Sequence, residues 1–284
     1  MRHSYAILIS LLTISCAGLP YTYSDKICDF PESNPYPGGL INHTLVAKTN
    51  ISEKDINVEG LKFLSCKENN EIRNVLVPIP LSKKEGDEIN ILSEGKIVYS
   101  VNLQNKFYRE SRITIQNQNL VTPPKSMQER IGKEYLRGQA AINTFTNFQS
   151  LKKNMGLPVD GIISSEFGVR RFINGLPRNR HIGLDIAAAE GTAVYSPSKG
   201  KVILTGDFFY KGNVIYLDHG NGLISSFSHL NSISVEQDQI IQAGEILGYV
   251  GSTGRVTGPH LHWEVSLMGV PINPEIFLKI NQSM

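Results

Sequence analysis

One short stretch near the end of the chain restricts the fold more than any other, because its apolar and polar residues alternate strictly. It reads His260-Leu261-His262-Trp263-Glu264-Val265-Ser266. Side chains of a strand point alternately to its two faces, so Leu261, Trp263 and Val265 are predicted to enter a core. The two histidines then share the opposite face, about 7 Å apart at a rise of about 3.3 Å per residue. The stretch therefore predicts a β-sheet with a histidine-bearing polar face.

The segment that precedes this strand continues the β pattern, with glycines between short apolar runs from residue 161 onward. Two β-prone runs, 212–218 and 223–229, flank the turn sequence His219-Gly220-Asn221-Gly222, which predicts a hairpin. Alternation along the second run places Ser225, Phe227 and His229 on one face. No glycine-rich phosphate-binding motif follows a strand and opens a helix, so nucleotide binding has no support.

The domain organisation follows from length and from changes of pattern. The chain has 284 residues, enough for two modest domains of roughly 100–200 residues each. Short alternating runs separated by turn clusters predict a small β domain at 24–118, and residues 155–284 are predicted to form the second domain. A helical connector is predicted at 119–154, with a helix over 126–148. Its capping box is Ser126 with Glu129, and its apolar face contains Ile131, Tyr135, Ile142 and Phe145.

The first 18 residues resemble a secretory signal peptide, with a positive start, an apolar run and small residues after it. The apolar run is shorter than the about 20 residues that a membrane-spanning helix needs. A lipid anchor at Cys16 is the alternative, but Thr13 stands where such signals have leucine. The chain is therefore predicted to be exported, with no membrane span after signal removal.

Removal of the signal leaves two cysteines, Cys28 and Cys66, which predicts a disulfide in an exported protein. Closing this loop contributes about 3–4 kcal/mol in the chain-entropy model. Two unpaired buried cysteines are the alternative. The formal net charge of +2 is too small to indicate nucleic-acid binding.

Five polar residues in the last segment are candidates for chemistry. They are His181, Asp185, His229, His260 and His262. Catalytic zinc takes three protein ligands of these types and leaves one position open, which a His-x-x-x-Asp pair and one strand histidine could satisfy. The remaining histidines could then move protons, since bound zinc lowers the pKa of water to about 7. Each fragment alone is weak, because lone histidines are more often surface or core residues.

Four motifs carry a resemblance to a known family and together cover roughly residues 160–277. They are Ser165-Glu166-Phe167-Gly168-Val169-Arg170, His181-Ile182-Gly183-Leu184-Asp185-Ile186, Phe227-Ser228-His229-Leu230, and the stretch 251–265 that contains His260-Leu261-His262-Trp263. The segment resembles the lysostaphin/LytM family of zinc metallopeptidases, which hydrolyse peptide bonds in peptidoglycan. The first domain is more loosely similar to amino-terminal β domains of some Gram-negative relatives.

The resemblance implies a mainly β fold whose carboxy-terminal antiparallel sheet carries a long open groove. It implies one zinc ion per chain, bound by His181, Asp185 and His262, with His229 and His260 as catalytic residues. Phe227 stands where the family usually has tyrosine, which affects substrate detail rather than the ligands. His219 is interpreted as a structural residue of the turn.

The predicted function is that of a zinc-dependent endopeptidase that hydrolyses peptide crosslinks of bacterial peptidoglycan during wall remodelling. Its expected location is the periplasm or cell envelope, and its expected partners are crosslink peptides rather than nucleic acid. One alternative is an inactive scaffold of the same fold that binds wall or activates another hydrolase. Another is a zinc protease for ordinary proteins. Left open are the crosslink that is cut, a carboxypeptidase activity, the oligomeric state, and coverage of the groove by the first domain or residues 171–180.

Overall fold

The computed structural model describes residues 29–46, 52–116, 118–147 and 153–278. The signal peptide predicted at 1–18, with Cys16, lies outside these ranges and stays a prediction. Within the same ranges, no helix combines the length and the apolar character needed to cross a bilayer.

Seven strands, two helices and a further twelve strands follow one another along the described chain. The first strands are β1 (Leu40–Val46), β2 (Ile56–Asn57), β3 (Leu64–Lys67), β4 (Ile72–Pro78), β5 (Glu88–Ser93), β6 (Lys96–Asn102) and β7 (Glu110–Ile113). The helices are α1 (Gln118–Val121) and α2 (Lys125–Ile142). The later strands are β8 (Ile162–Ser165), β9 (Arg170–Ile173), β10 (Leu176–Pro177), β11 (Leu184–Ala187), β12 (Ala193–Tyr195), β13 (Gly200–Phe208), β14 (Gly212–Asp218), β15 (Leu223–Ile233), β16 (Ile240–Ile241), β17 (Ile246–Val250), β18 (His260–Leu267) and β19 (Val270–Ile272).

The prediction of a mainly β chain with a large antiparallel sheet is confirmed. Ten strands form one sheet, whose main path runs β16-β13-β14-β15-β18-β11-β8, with β12, β17 and β19 attached. The predicted hairpin is the pair β14 and β15, and the alternating stretch is β18. Leu261, Trp263 and Val265 are fully buried, as their alternation predicts. Strand β18 pairs with β15 along one edge and with β11 along the other. Side chains of both neighbouring strands can therefore lie beside its polar face.

The amino-terminal part contains two three-stranded sheets, ordered β1-β4-β3 and β2-β5-β6. Alternate residues of the first sheet face different cores. Ile41 and Val75 pack with the second sheet, whereas Leu40 and Leu76 join the core that contains Phe227 of the large sheet. The β1-β4-β3 sheet is therefore a middle layer, packed on both faces.

A third small sheet joins the two parts of the chain, since β7 pairs in parallel with β9 in the order β10-β9-β7. Arg109, which precedes β7, bonds the Glu166 carboxylate through Nε at 2.6 Å and the Ser164 carbonyl at 3.1 Å. A Cβ at Gly168 would lie 2.0 Å from the ring of Tyr108, so only glycine allows this close approach. Residues 171–180, whose position the sequence leaves open, thus form a hairpin that is held by the strand before the helices.

Helix α2 differs from its prediction in both its start and its buried face. It begins at Lys125 after Pro124, whose fixed φ suits a helix start, and no side chain caps it. The predicted capping box is therefore wrong, and Glu129 instead pairs with Lys133 at 2.6 Å. Residue 148, the predicted end, lies outside the described residues, and the helix ends at Ile142.

The buried face of α2 contains Glu134 and Ala141, whereas Tyr135 of the predicted face is 64% exposed. Glu134 is buried because its carboxylate has two partners, the Arg130 guanidinium at 2.5 Å and the Phe209 amide at 2.7 Å. Tertiary hydrogen bonds thus outweigh the apolar periodicity of this helix.

The Cys28–Cys66 disulfide stays a prediction, because Cys28 lies outside the described residues. Cys66 lies in β3 opposite Asn74 and packs at the margin of the main core. Peptide mapping of the exported protein without reductant is expected to yield one crosslinked peptide that contains both cysteines. Two free thiols in the oxidised native protein would contradict this prediction.

Candidate metal centre

The fold brings the five predicted site residues together on the polar side of β11 and β18. These strands are antiparallel neighbours, and their register places Asp185 directly opposite His262. His181 lies just before β11, where its backbone amide donates to the Val169 carbonyl at 2.9 Å. His260 begins β18, and His229 reaches the same place from β15.

Three side-chain atoms converge at the centre of this group. His181 Nε2 lies 2.9 Å from Asp185 Oδ1, and His262 Nδ1 lies 2.6 Å from the same oxygen. The two nitrogens are 3.0 Å apart. All three residues are buried and form one group that could hold a metal ion.

The hydrogen bonds at the far side of each ring fix which nitrogen faces the centre. His181 Nδ1 lies 2.7 Å from the Glu166 carbonyl, and His262 Nε2 lies 2.8 Å from Glu264 Oε1. Both partners are acceptors, so in the neutral rings these nitrogens carry the proton. Two bare nitrogens and a carboxylate oxygen then face one another with no hydrogen between them. Such a set of acceptors fits a cation, and its composition fits zinc.

Electrostatics keep the carboxylate of Asp185 charged. Burial alone would raise its pKa, but without a metal ion the imidazoles of His181 and His262 can carry a proton toward Oδ1, and these hydrogen bonds hold the pKa of Asp185 well below its usual range. The second oxygen, Oδ2, accepts a hydrogen bond from Arg171 Nη2 at 2.5 Å. Burial lowers the pKa of His181, which favours its neutral form.

His262 differs from His181 because it contacts two carboxylates. Burial would lower its pKa, but the hydrogen bonds to Asp185 and Glu264 outweigh burial, so the pKa of His262 is raised. A metal ion therefore competes with a proton for Nδ1 of this residue.

A chain of ionic hydrogen bonds supports His262 from behind. Glu264 Oε1 holds the ring at 2.8 Å, while Oε2 accepts from Lys211 Nζ at 2.6 Å and from the Ser226 hydroxyl at 2.9 Å. Burial would raise the pKa of Glu264, but Lys211 and His262 lower it well below its usual range. The carboxylate thus stays charged and fixes the orientation and basicity of the His262 ring.

Replacing Glu264 by glutamine is expected to weaken zinc binding by about 10–100-fold, because an outer carboxylate of a ligand histidine is lost. The amide keeps the shape but removes the negative charge. Competition against a chelator measures the affinity, and Glu236→Gln on an exposed position is the matched control. An affinity equal to that of the control would contradict the role of Glu264.

His229 and His260 form a second pair beside the converging atoms, with ring centroids 4.9 Å apart. Nδ1 of His229 donates to the Thr253 carbonyl at 2.9 Å, and Nδ1 of His260 donates to the Gly258 carbonyl at 2.9 Å. In neutral rings, each Nε2 is therefore a bare acceptor. His260 Nε2 lies 3.8 Å from Asp185 Oδ1. Burial and the neighbouring histidines His262 and His260 lower the pKa of His229 to about 3, so its ring is neutral at pH 7.

The position of His229 corrects the face predicted for its strand. Simple alternation puts His229 on the same side as Phe227, but Phe227 is fully buried in the core opposite Trp263. His229 instead lies among the site histidines because its φ of +66° interrupts the alternation. The strand pairing also shifts register here, and the His229 amide donates to the Lys211 carbonyl at 2.8 Å.

Other residues near the site were missed by the sequence analysis or given no role. Arg171 contacts Asp185, and Lys211 contacts Glu264. The one sequence signal that points to Arg171 is that residues 167–184 contain four arginines and no aspartate or glutamate. His219 does not belong to the candidate metal-binding group and lies between the Lys199 carbonyl at 2.9 Å and the Ser225 hydroxyl at 2.8 Å.

Fold and site together define a mainly β protein with a buried His–Asp–His group and two further histidines beside it. The sequence profile of peptidase family M23 matches residues 179–274, which include all five site residues. A crystal structure of a protein assigned to peptidase M23 from Pseudomonas aeruginosa is 32% identical, covering 86% of this chain and 95% of that chain, with a TM-score of 0.64. The chain belongs to peptidase family M23, which confirms the resemblance to lysostaphin/LytM-type peptidases.

Two curated relatives match the same part of the chain. Peptidoglycan DD-endopeptidase ShyA of Vibrio cholerae is 41% identical over 119 residues, covering 41% of this chain and 28% of ShyA. DD-carboxypeptidase/endopeptidase Mpg of Neisseria meningitidis is 40% identical over 112 residues, covering 39% of this chain and 26% of Mpg. The matches therefore span about a quarter of the length of these relatives.

Proposed function

We propose that this chain is a zinc-dependent endopeptidase that hydrolyses peptide crosslinks of bacterial peptidoglycan. The observation that carries the proposal is the convergence of two imidazole nitrogens and a carboxylate oxygen beside two further histidines. The wall substrate is supported by the names of the relatives, which describe a peptidoglycan DD-endopeptidase and a DD-carboxypeptidase/endopeptidase. The long open groove and the export by residues 1–18 belong to the same proposal.

The residues that would hold zinc are His181, Asp185 and His262, through the three atoms that converge. When bound, zinc supplies a Lewis acid that polarises the scissile carbonyl and lowers the pKa of water to about 7. Asp185 contributes the negative charge of the site, and Arg171 fixes its second oxygen. Glu264 keeps the His262 ring in the orientation that directs Nδ1 to the centre.

His229 and His260 supply the proton chemistry. Their two bare Nε2 atoms can accept both O–H bonds of one attacking water, which orients its oxygen toward the carbonyl carbon. His260 accepts the proton as the new C–O bond forms, since it lies closer in sequence and space to the ligand atoms. The proton then passes to the peptide nitrogen as the C–N bond breaks. The Thr253 and Gly258 carbonyls hold both rings in position throughout.

The inactive-scaffold alternative requires a site that lacks ligands or proton acceptors. Here all five side chains lie together, and the tautomers of the four histidines are fixed by backbone carbonyls or by the Glu264 carboxylate. We therefore favour activity over a purely structural role.

Digestion of purified sacculi tests the proposal. The mature chain with bound zinc is expected to convert crosslinked muropeptide dimers into monomers, identified by mass spectrometry. A chelator should stop the reaction and added zinc should restore it. Sacculi that remain unchanged at full zinc occupancy would rule out the wall endopeptidase.

A further inference from the structure

The segment before Asp185 is strongly basic although the whole chain is almost neutral. Residues 167–184 contain four arginines and no aspartate or glutamate, whereas the full sequence has a net charge of only +2. The loop 251–259, which leads into β18, adds Arg255 and again contains no acid. Positive charge is thus concentrated in two segments that border the candidate metal centre.

Two of these arginines lie on the β9–β10 hairpin beside the site. Arg171 contacts Asp185 Oδ2, and 28% of its side chain remains exposed. The Arg178 amide donates to the Arg171 carbonyl at 2.9 Å, so the two residues are adjacent across the hairpin. Arg178 Nη2 donates to the Val121 carbonyl at 3.1 Å, but its Nε is buried and has no hydrogen-bond partner among the described residues.

Arg255 lies in the second basic segment, on the loop whose Thr253 and Gly258 carbonyls hold His229 and His260. Its guanidinium carbon lies 4.3 Å from the centre of the Tyr210 ring, and its amide donates to the Tyr210 carbonyl at 2.9 Å. Burial and repulsion by Arg178 and Arg171 lower the pKa of Arg255, despite the opposing effect of Tyr210. Arg178 and Arg171 thus lie within electrostatic range of Arg255.

Such a group of like charges needs a negative partner. Of the three arginines only Arg171 contacts Asp185, and no carboxylate of the described residues forms an ion pair with Arg178 or Arg255. A guanidinium presents its donors as a planar fork that matches a carboxylate. A bound carboxylate would offset the repulsion that Arg178 and Arg171 exert on Arg255.

We propose that Arg171, Arg178 and Arg255 form a carboxylate-binding subsite, so that the enzyme selects peptides with a free carboxylate next to the bond that is cut. The inference rests on the proposed peptidase function and specifies its substrate class. The carboxylate could belong to the carboxy terminus of the peptide or to an acidic side chain within it. Both have the same chemistry, and amidation of either one separates them.

The test uses three synthetic wall-peptide dimers with the same crosslink and the zinc-loaded mature chain. One dimer has all carboxylates free, one is amidated at the carboxy terminus, and one is amidated at the acidic side chain. Amidation of the recognised carboxylate is expected to lower kcat/KM by about 10–100-fold, since a hydrogen bond to a charged group is lost. The peptide that shows the loss identifies the source of the carboxylate.

Arg255→Gln and Arg178→Gln are expected to bring the ratio of free-acid to amide kcat/KM close to one. Arg137→Gln is the matched control, because Arg137 is exposed and contacts the Thr205 carbonyl of β13, and it should keep the wild-type ratio. If Arg178→Gln does not fold, Arg255→Gln carries the test by itself, with zinc content measured in parallel.

Equal kcat/KM for all three dimers, or a wild-type ratio in the folded Arg255→Gln protein, would overturn the subsite alone. A wild-type enzyme that cuts neither the dimers nor sacculi at full zinc occupancy would overturn the proposed function as well.

Discussion

Replacing His262 by alanine is expected to remove zinc from the protein and to reduce hydrolysis of sacculi by more than about 10³-fold, because the nucleophile no longer forms at neutral pH. Nδ1 of His262 is one of the three converging atoms proposed as ligands and lies 2.6 Å from Asp185 Oδ1. Asp185→Ala should have the same effect, since it also removes the negative charge that attracts the cation. Elemental analysis of the purified variants measures the metal directly.

The matched control for this experiment is His43→Ala. His43 stacks on Tyr99 in the amino-terminal part, with ring centroids 3.9 Å apart, and contributes no atom to the site. This variant should keep one zinc per chain. Full zinc occupancy in His262→Ala would exclude His262 as a ligand, and the assignment of the three residues would have to be revised.

Replacing His229 or His260 by alanine is expected to lower kcat by about 10²–10⁴-fold while leaving zinc and fold intact, because a proton acceptor is lost but no ligand is. Nδ1 of each ring donates a hydrogen bond to one backbone carbonyl. Removing the ring therefore leaves only that carbonyl without its hydrogen-bond donor. Turnover of a crosslinked dimer, zinc content and circular dichroism should be measured on the same preparations.

The two histidine variants distinguish between the roles proposed for them. If His260 accepts the proton, kcat should fall by the larger factor in His260→Ala. The smaller fall of kcat in His229→Ala would then reflect the lost orientation of the attacking water. Near wild-type turnover in either variant would remove that residue from the mechanism. The His43→Ala protein again provides the reference value.

Much of the β architecture could be predicted from local pattern. Alternation in β18 directs Trp263 into the core and His262 to the polar face, because burial of apolar side chains determines the orientation of a strand. The site residues could also be named, since their types and spacing resemble a known family. Their relative placement could not be derived, because Asp185 and His262 become neighbours only through pairing of strands that are distant in sequence.

The predicted face of His229 and the predicted buried face of α2 were both wrong. In each case a local backbone conformation or specific hydrogen bonds opposed the pattern of apolar residues. A positive φ at His229 reverses its direction, and no periodicity of two can reveal such an interruption. Burial of Glu134 depends on Arg130 and on the Phe209 amide, a partner 75 residues away in the sequence. Neither the φ of His229 nor the hydrogen bonds of Glu134 can be predicted from the order of apolar residues.

The pairing of β7 with β9 has a consequence for protein engineering, because the peptidase is not one continuous piece of the sequence. Glu110 and Ile113 are paired with Arg170 and Ile173 of the hairpin that holds Arg171 against Asp185. A fragment that begins after helix α2 would expose an unpaired strand edge beside the candidate metal centre. A transplantable module should therefore start before Arg109 and retain the helices, or should supply a substitute strand through circular permutation.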